Sequence, residues 1–223
     1  MSNLSRRRRL MLVLLCAAPG LSLAAPAKGD DVEFFRAVQV DNAAGVQALL
    51  ARGLDPNLRD ANGETGLIAA LRYDAAKVAA MLIALRGVDL EAKAPNGNTA
   101  LMMAAFRQNQ PMVVALIERG AQVNQKGWTA LHYAASAGSV DITGLLLDRH
   151  AYIDAESPSG MTALMLAARE GKDDVVTLLL HRGADATLKD GGFHLTAAEF
   201  ARKADKPWIA KSIDAFLAAT PAR

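Results

Sequence analysis

The stretch Ser159–Asp190, SGMTALMLAAREGKDDVVTLLLHRGADATLKD, decides how the rest of the chain is built. A Ser-Gly turn leads to Thr162, a residue type whose hydroxyl accepts one of the orphan backbone N–H groups at a helix start. Leu164, Leu166, Ala167 and Ala168 follow at helical spacing, and Gly171 ends that segment. Val175, Val176, Leu178, Leu179 and Leu180 make a second apolar run, closed by His181-Arg182-Gly183. Two short helices joined by a tight turn cannot bury both apolar faces between themselves. The unit therefore demands neighbours of its own kind.

The chain supplies them. Thr162-Ala163-Leu164 recurs upstream as Thr129-Ala130-Leu131, Thr99-Ala100-Leu101 and Thr65-Gly66-Leu67, and degenerately downstream as Thr196-Ala197-Ala198. Successive steps are 34, 30, 33 and 34 residues. A period near 33, with a turn and two helices per unit, is that of stacked ankyrin repeats. GWTALHYAASAG (Gly127–Gly138) and RGADATLKD (Arg182–Asp190) carry the resemblance to that family most closely. It extends from about Asp31 to Ala218 and implies an all-α ankyrin-repeat solenoid of helix-turn-helix units with short β-hairpin-like loops, about six repeats including caps. Residues 31–60 are the expected N-terminal capping repeat and 191–218 the C-terminal one. Between them stand repeats at 61–94, 95–126, 127–157 and 158–190, with 25–30 a short lead-in and 219–223 a tail.

Local departures from the plan carry information. The first unit offers Phe34, Phe35, Ala37 and Val38, then Val46, Leu49 and Leu50, but no T-x-L, as suits a terminal repeat with one side in solvent. Asn62-Gly63 and Asn96-Gly97 make tight turns ahead of the second and third repeats. Pro111 falls at the start of a helix, where a missing N–H costs little. Gly120 and Thr129 are nine residues apart, whereas Gly87 and Thr99 are twelve apart. The hairpin entering the fourth repeat is thus about three residues short, and Trp128 lies just before its N-cap. His150 stands where the family usually places glycine.

Ahead of residue 31 the chain reads as a secretory leader. Arg6–Arg9 form a basic start, Leu10–Cys16 begin an apolar run that continues to Ala25, and small residues follow. Residues 1–24 are the expected signal peptide, with cleavage after Ala27 as the alternative. An uncleaved anchor is the competing reading, opposed by Pro19-Gly20 within the run. The expected location is periplasmic or secreted, with no stable membrane insertion after leader removal. Of 25 basic residues the leader holds four, leaving 21 against 23 acidic, so a nucleic-acid partner loses its electrostatic footing. Cys16 is the only cysteine and leaves with the leader, so no disulfide is expected. At 52% hydrophobic and 22% charged, the composition suits a folded unit rather than a disordered one.

Nothing in the motifs calls for catalysis, a cofactor or a metal. His132 occupies the family's T-x-L-H position, where its ring is expected to brace neighbouring backbone. His150 and His181 fall at second-helix ends of adjacent repeats, without H-x-x-x-H or H-E-x-x-H spacing; His194 is a loop residue. Asp173-Asp174 opens a helix and complements its dipole. The six methionines from Met81 to Met165 read as core filler. No nucleophile elbow, P-loop or G-x-G-x-x-G appears.

In the family, partners meet the hairpin tips and the exposed ends of first helices, which line the concave face. The resemblance carries that role to Tyr73, Phe106, Arg107, Trp128, Met161 and Arg169 as partner-binding candidates, with Glu64, Arg72, Asn98, Ser136 and Glu170 among the same positions. Tyr73, Phe106 and Trp128 are expected either to form one aromatic stripe or to leave Trp128 folded inward as a plug for the shortened hairpin. The implied function is an exported protein-protein interaction module, a monomer binding another protein. Small exported bacterial members imply a supporting role in periplasmic oxidative-stress defence. An immunity-type inhibitor of a toxin in the same compartment is the rival among binding proteins, and an enzyme the rival of another class.

Overall fold

The computed structural model describes residues 27–219. The expected leader, Cys16 and residues 220–223 lie outside the described residues. Those described form twelve helices in six antiparallel pairs: α1 (Asp30–Gln39) with α2 (Ala43–Ala51), α3 (Gly66–Arg72) with α4 (Ala76–Ala84), α5 (Ala100–Phe106) with α6 (Gln110–Glu118), α7 (Ala130–Ala137) with α8 (Val140–Asp148), α9 (Ala163–Glu170) with α10 (Asp173–His181), and α11 (Ala197–Lys203) with α12 (Pro207–Ala219). The first helix starts at Asp30, the last residue of the expected lead-in. Its carboxylate accepts from the Ala27 amide at 2.7 Å and pairs with Arg52 at 2.8 Å.

Each threonine of the recurring motif sits in extended backbone immediately before its helix, and all but the half-buried Thr196 are buried. Behind them runs a small-residue column, Ala70, Ala104, Ala134, Ala167 and Ala201, none more than 1% exposed. Small side chains let successive first helices approach closely, and the first-helix row is the more tightly packed of the two. Tighter spacing on one side bends the stack toward the first helices. The second-helix row is held by Leu82, Leu116, Leu146, Leu179 and Ile213, all fully buried at one register. Gly66 departs from the alanine of later repeats for a visible reason. A Cβ there would stand 2.5 Å from the Phe34 ring, which fills the space from the capping repeat.

A ladder of side-chain staples links the loops. Asn57, Glu91, Asn124 and Asp154 accept from the amides of Asp89, Gln122, Tyr152 and Asp185 in the next repeat, at 2.7, 2.8, 2.8 and 3.0 Å. The tips beyond close with a backbone bond from the Asp60, Ala94, Ser157 and Asp190 amides to the Glu64, Asn98, Met161 and Leu195 carbonyls, and in the first three the Gly63, Gly97 or Gly160 amide bonds back across the turn. Among the described residues the only bridge of strand type is Arg59 with Thr65. The hairpin-like loops are therefore tight turns, and no strand forms among the described residues. In the fourth repeat the three missing residues fall between Asn124 and Thr129, after the staple, so the ladder continues while the tip is cut back. His150 adopts φ 63, a left-handed conformation that Gly53, Gly87, Gly120 and Gly183 supply at the same point.

Candidate partner-binding surface

The residue before each N-cap threonine points to the role of its tip. Glu64 pairs with Arg72 on its own repeat's first helix. Asn98 accepts the Tyr133 hydroxyl of the next repeat at 2.5 Å. Trp128 stacks edge-on against His132 with centroids 5.4 Å apart and lies tilted on Tyr133 at 6.2 Å. Tyr133 also meets Phe106 edge-to-face at 6.1 Å. Such pairs contribute about 0.5–1.5 kcal/mol beyond area burial. Phe106 remains half-exposed and Trp128 partly buried.

The expected stripe is thus rearranged. Tyr73 is 44% exposed and takes a long 3.4 Å hydrogen bond from Gln39 of α1, while Phe106 and Trp128 are joined through Tyr133. Tyr133 is absent from the positions that the sequence singles out. Its signal was the column Ala69, Met103, Tyr133, Leu166 and Phe200, one turn into each first helix, where a large polar-tipped ring appears only here. Trp128 is both packed and accessible, so neither a free stripe nor a sealed plug describes it. Met161 is corrected outright as an exposed contact. It is 7% exposed, its carbonyl accepts from His132, and its sulfur receives the Arg169 guanidinium at 3.7 Å. Arg169 itself is exposed and pairs with Glu170 at 2.9 Å, and Arg107 is exposed at the end of α5.

These side chains enclose a hollow of about 150 Å³, lined by Phe106, Trp128, His132, Tyr133, Ser136, Leu166 and Arg169. At its floor His132 is 1% exposed. Its Nδ1 faces the Thr129 amide at 3.2 Å and its Nε2 the Met161 carbonyl at 2.9 Å. An amide can only donate and a carbonyl only accept, so the ring is neutral with its proton on Nε2. Burial lowers the His132 pKa, partly opposed by its bonds to the Met161 and Ala155 backbone. Burial likewise raises the Tyr133 pKa against the pull of Asn98, leaving its hydroxyl a donor. The ring of His132 is a brace between repeats rather than an acid or base open to substrate.

The remaining histidines do not converge. His181 bonds the Thr177 carbonyl and meets Phe216 of α12, whereas His150 is exposed in its loop. Among the described residues no three His, Cys, Asp or Glu side chains are grouped to hold a metal ion. No described helix is long and apolar enough to cross a membrane.

Paired helices stacked at one register, with tips and first helices forming a shared side-chain surface, define the class as an all-α repeat solenoid built for recognition. A family model of ankyrin repeats (three copies) matches residues 34–127 and 122–190. The chain belongs to the ankyrin-repeat family. It is 36% identical over 124 residues to neurogenic locus notch homolog protein 1 of Xenopus laevis and 37% over 123 residues to notch homolog protein 2 of Homo sapiens. Each match covers 54% of this chain but 5% of the relative, so the likeness is to one small part of those proteins. The crystal structure of an ankyrin repeat domain from Acinetobacter baumannii superposes with a TM-score of 0.70 at 26% identity, covering 83% of this chain and 98% of that one. As ankyrin-repeat proteins generally are, the chain is a protein-interaction module.

Proposed function

We propose that the chain is an exported module that holds one partner protein across the tips and first helices of its third, fourth and fifth repeats. The half-open cluster of Phe106, Trp128 and Tyr133 carries this reading. Large rings that are packed on one side and accessible on the other enter an interface with little further loss of freedom. A hollow of about 150 Å³ is well below the size of ordinary small-molecule sites, about 300–1,000 Å³. At that place the size favours one side chain of a partner over a small-molecule substrate. Export rests on Arg6–Arg9 and the apolar run after them, and makes the partner a protein of the periplasm or the external medium.

A supporting role in oxidative-stress defence is compatible with such a partner. An immunity-type inhibitor is disfavoured, because it would present acids to a basic catalytic cleft and this face presents arginines and lysines. Capture from a periplasmic extract by the immobilised chain tests the reading. Trp128→Ala and Phe106→Ala should each lose the captured protein while leaving the helical signal intact. If Trp128→Ala instead lowers the melting midpoint by several degrees and spares capture, Trp128 serves packing and the surface lies elsewhere.

A further inference from the structure

Trp128 is shared by two hollows. On its helix side lies the 150 Å³ space already described; on its tip side is a notch of about 210 Å³. The notch exists because the fourth tip is cut back between neighbours of full length, the Pro95–Gly97 turn and Pro158. Lys93 and Lys126 line it beside Met102 and are both exposed. Divided by the Trp128 side chain, the two spaces form a slot that is lysine-rimmed at the tips and aromatic on the helix side.

The side chains that line the two hollows include Lys93, Lys126 and Arg169 and no acid. Glu64 is engaged by Arg72, and Glu170 by Arg169. The Asp60 carboxylate accepts from the Asn62 and Glu64 amides, and buried Asp190 from those of Gly192, Phe193 and Leu195. Glu156 lines a neighbouring hollow with Lys126 without an ion pair between them. Among the described residues Lys93, Lys126 and Arg107 form no salt bridge. The hollows thus open among cations, and such a rim selects an oppositely charged partner and speeds its arrival.

We infer that the slot takes an extended segment of a partner protein in which one large apolar side chain is flanked by carboxylates, an inference that rests on the protein-binding reading above. The apolar side chain fills the space between Phe106, Tyr133 and Leu166, whose size admits one side chain. The carboxylates meet Lys93 and Lys126 at the notch and Arg107 at the helix end.

Three end-blocked peptides, Gly-Asp-Phe-Asp-Gly, Gly-Lys-Phe-Lys-Gly and Gly-Asp-Ala-Asp-Gly, are titrated against the chain while the Trp128 indole resonance is followed. The acidic phenylalanine peptide should bind roughly tenfold or more tighter than either other, and weaken as salt rises from ~50 to ~500 mM. The double variant Lys93→Glu/Lys126→Glu, at exposed positions that leave the core untouched, should keep the helical signal and reverse the preference toward the lysine peptide. Equal binding of the lysine peptide, no response of Trp128 to any peptide, or an unchanged preference in the double variant overturns the inference. Partner capture that depends on Trp128 would survive each of those results, so the two readings fail separately.

Discussion

Thr143 is fully buried in α8, and its hydroxyl oxygen has no hydrogen-bond partner. The equivalent residues in other repeats are Ala79, Val113, Val176 and Ala210, all apolar. Replacing an unsatisfied hydroxyl by a methyl of the same shape removes a desolvation cost, so Thr143→Val should stabilise the chain by about 1 kcal/mol in denaturant unfolding. A second comparison concerns the amides of the N-cap threonines. Thr129 donates to a ring nitrogen of His132 at 3.2 Å, Thr162 to the Met165 sulfur at 3.4 Å, and Thr196 to the Glu199 carboxylate at 2.7 Å. Three chemistries fill one geometric role, but only the first titrates near neutrality. The unfolded chain binds a proton at His132 near the ordinary value of 6.5, whereas burial lowers the folded value. Below pH ~6.5 the unfolded state therefore holds more protons, and stability falls with pH until the folded value is passed. His132→Gln should flatten that slope between pH 8 and 5. An unchanged slope in melts across that range would refute the assignment. Asp190 and Glu199 act lower on the scale. Burial works to raise Asp190, but three amide donors outweigh it, and the Thr196 amide lowers Glu199; stability from both is present above the ordinary carboxylate range and lost as acid titrates them.

At the scale of single helices, stability comes from one inward residue per turn rather than from propensity, since helices of seven to thirteen residues are marginal alone. Leu146 and Leu179 are both fully buried in the same column. Each Leu→Ala change should cost about 2–5 kcal/mol, measured by denaturant unfolding, and losses below ~1 kcal/mol at both would contradict the packing. That column, the threonine caps and the pairing of helices were readable because they recur at one spacing. The staple ladder was not, since Asn57, Glu91, Asn124 and Asp154 share a position and an acceptor oxygen but are three different residue types. Met161 misled for a related reason. Its column holds the partly free tip residue Trp128, but a linear side chain folds under Arg169 where an indole stands on edge. Tyr133 escaped notice because its neighbour His132 carries the recognised motif, and only the comparison of columns across repeats isolates it.

At the scale of the molecule, the principal helix contacts among the described residues run within a repeat or to the next one, so stability is distributed along the stack. If residues 1–24 form a leader, the exported protein should begin at Ala25, or at Lys28 for the alternative cut; intact mass and N-terminal sequencing decide, and a form still beginning at Met1 or Ser2 refutes export by cleavage. The staples have one more consequence, for length. Each joins a loop only to the loop after it, so the ladder acts as a ruler whose marks are interchangeable. Excising residues 124–153 would join Val123 to Asp154, keep the Glu91 bond to Gln122 and the Asp154 bond to Asp185, and set α9 directly on α5. The shortened chain should fold cooperatively with five helix pairs and a denaturant slope lower by roughly a sixth. It would have lost the fourth tip and every ring but Phe106 from the aromatic cluster, separating the ability to stack from the ability to bind.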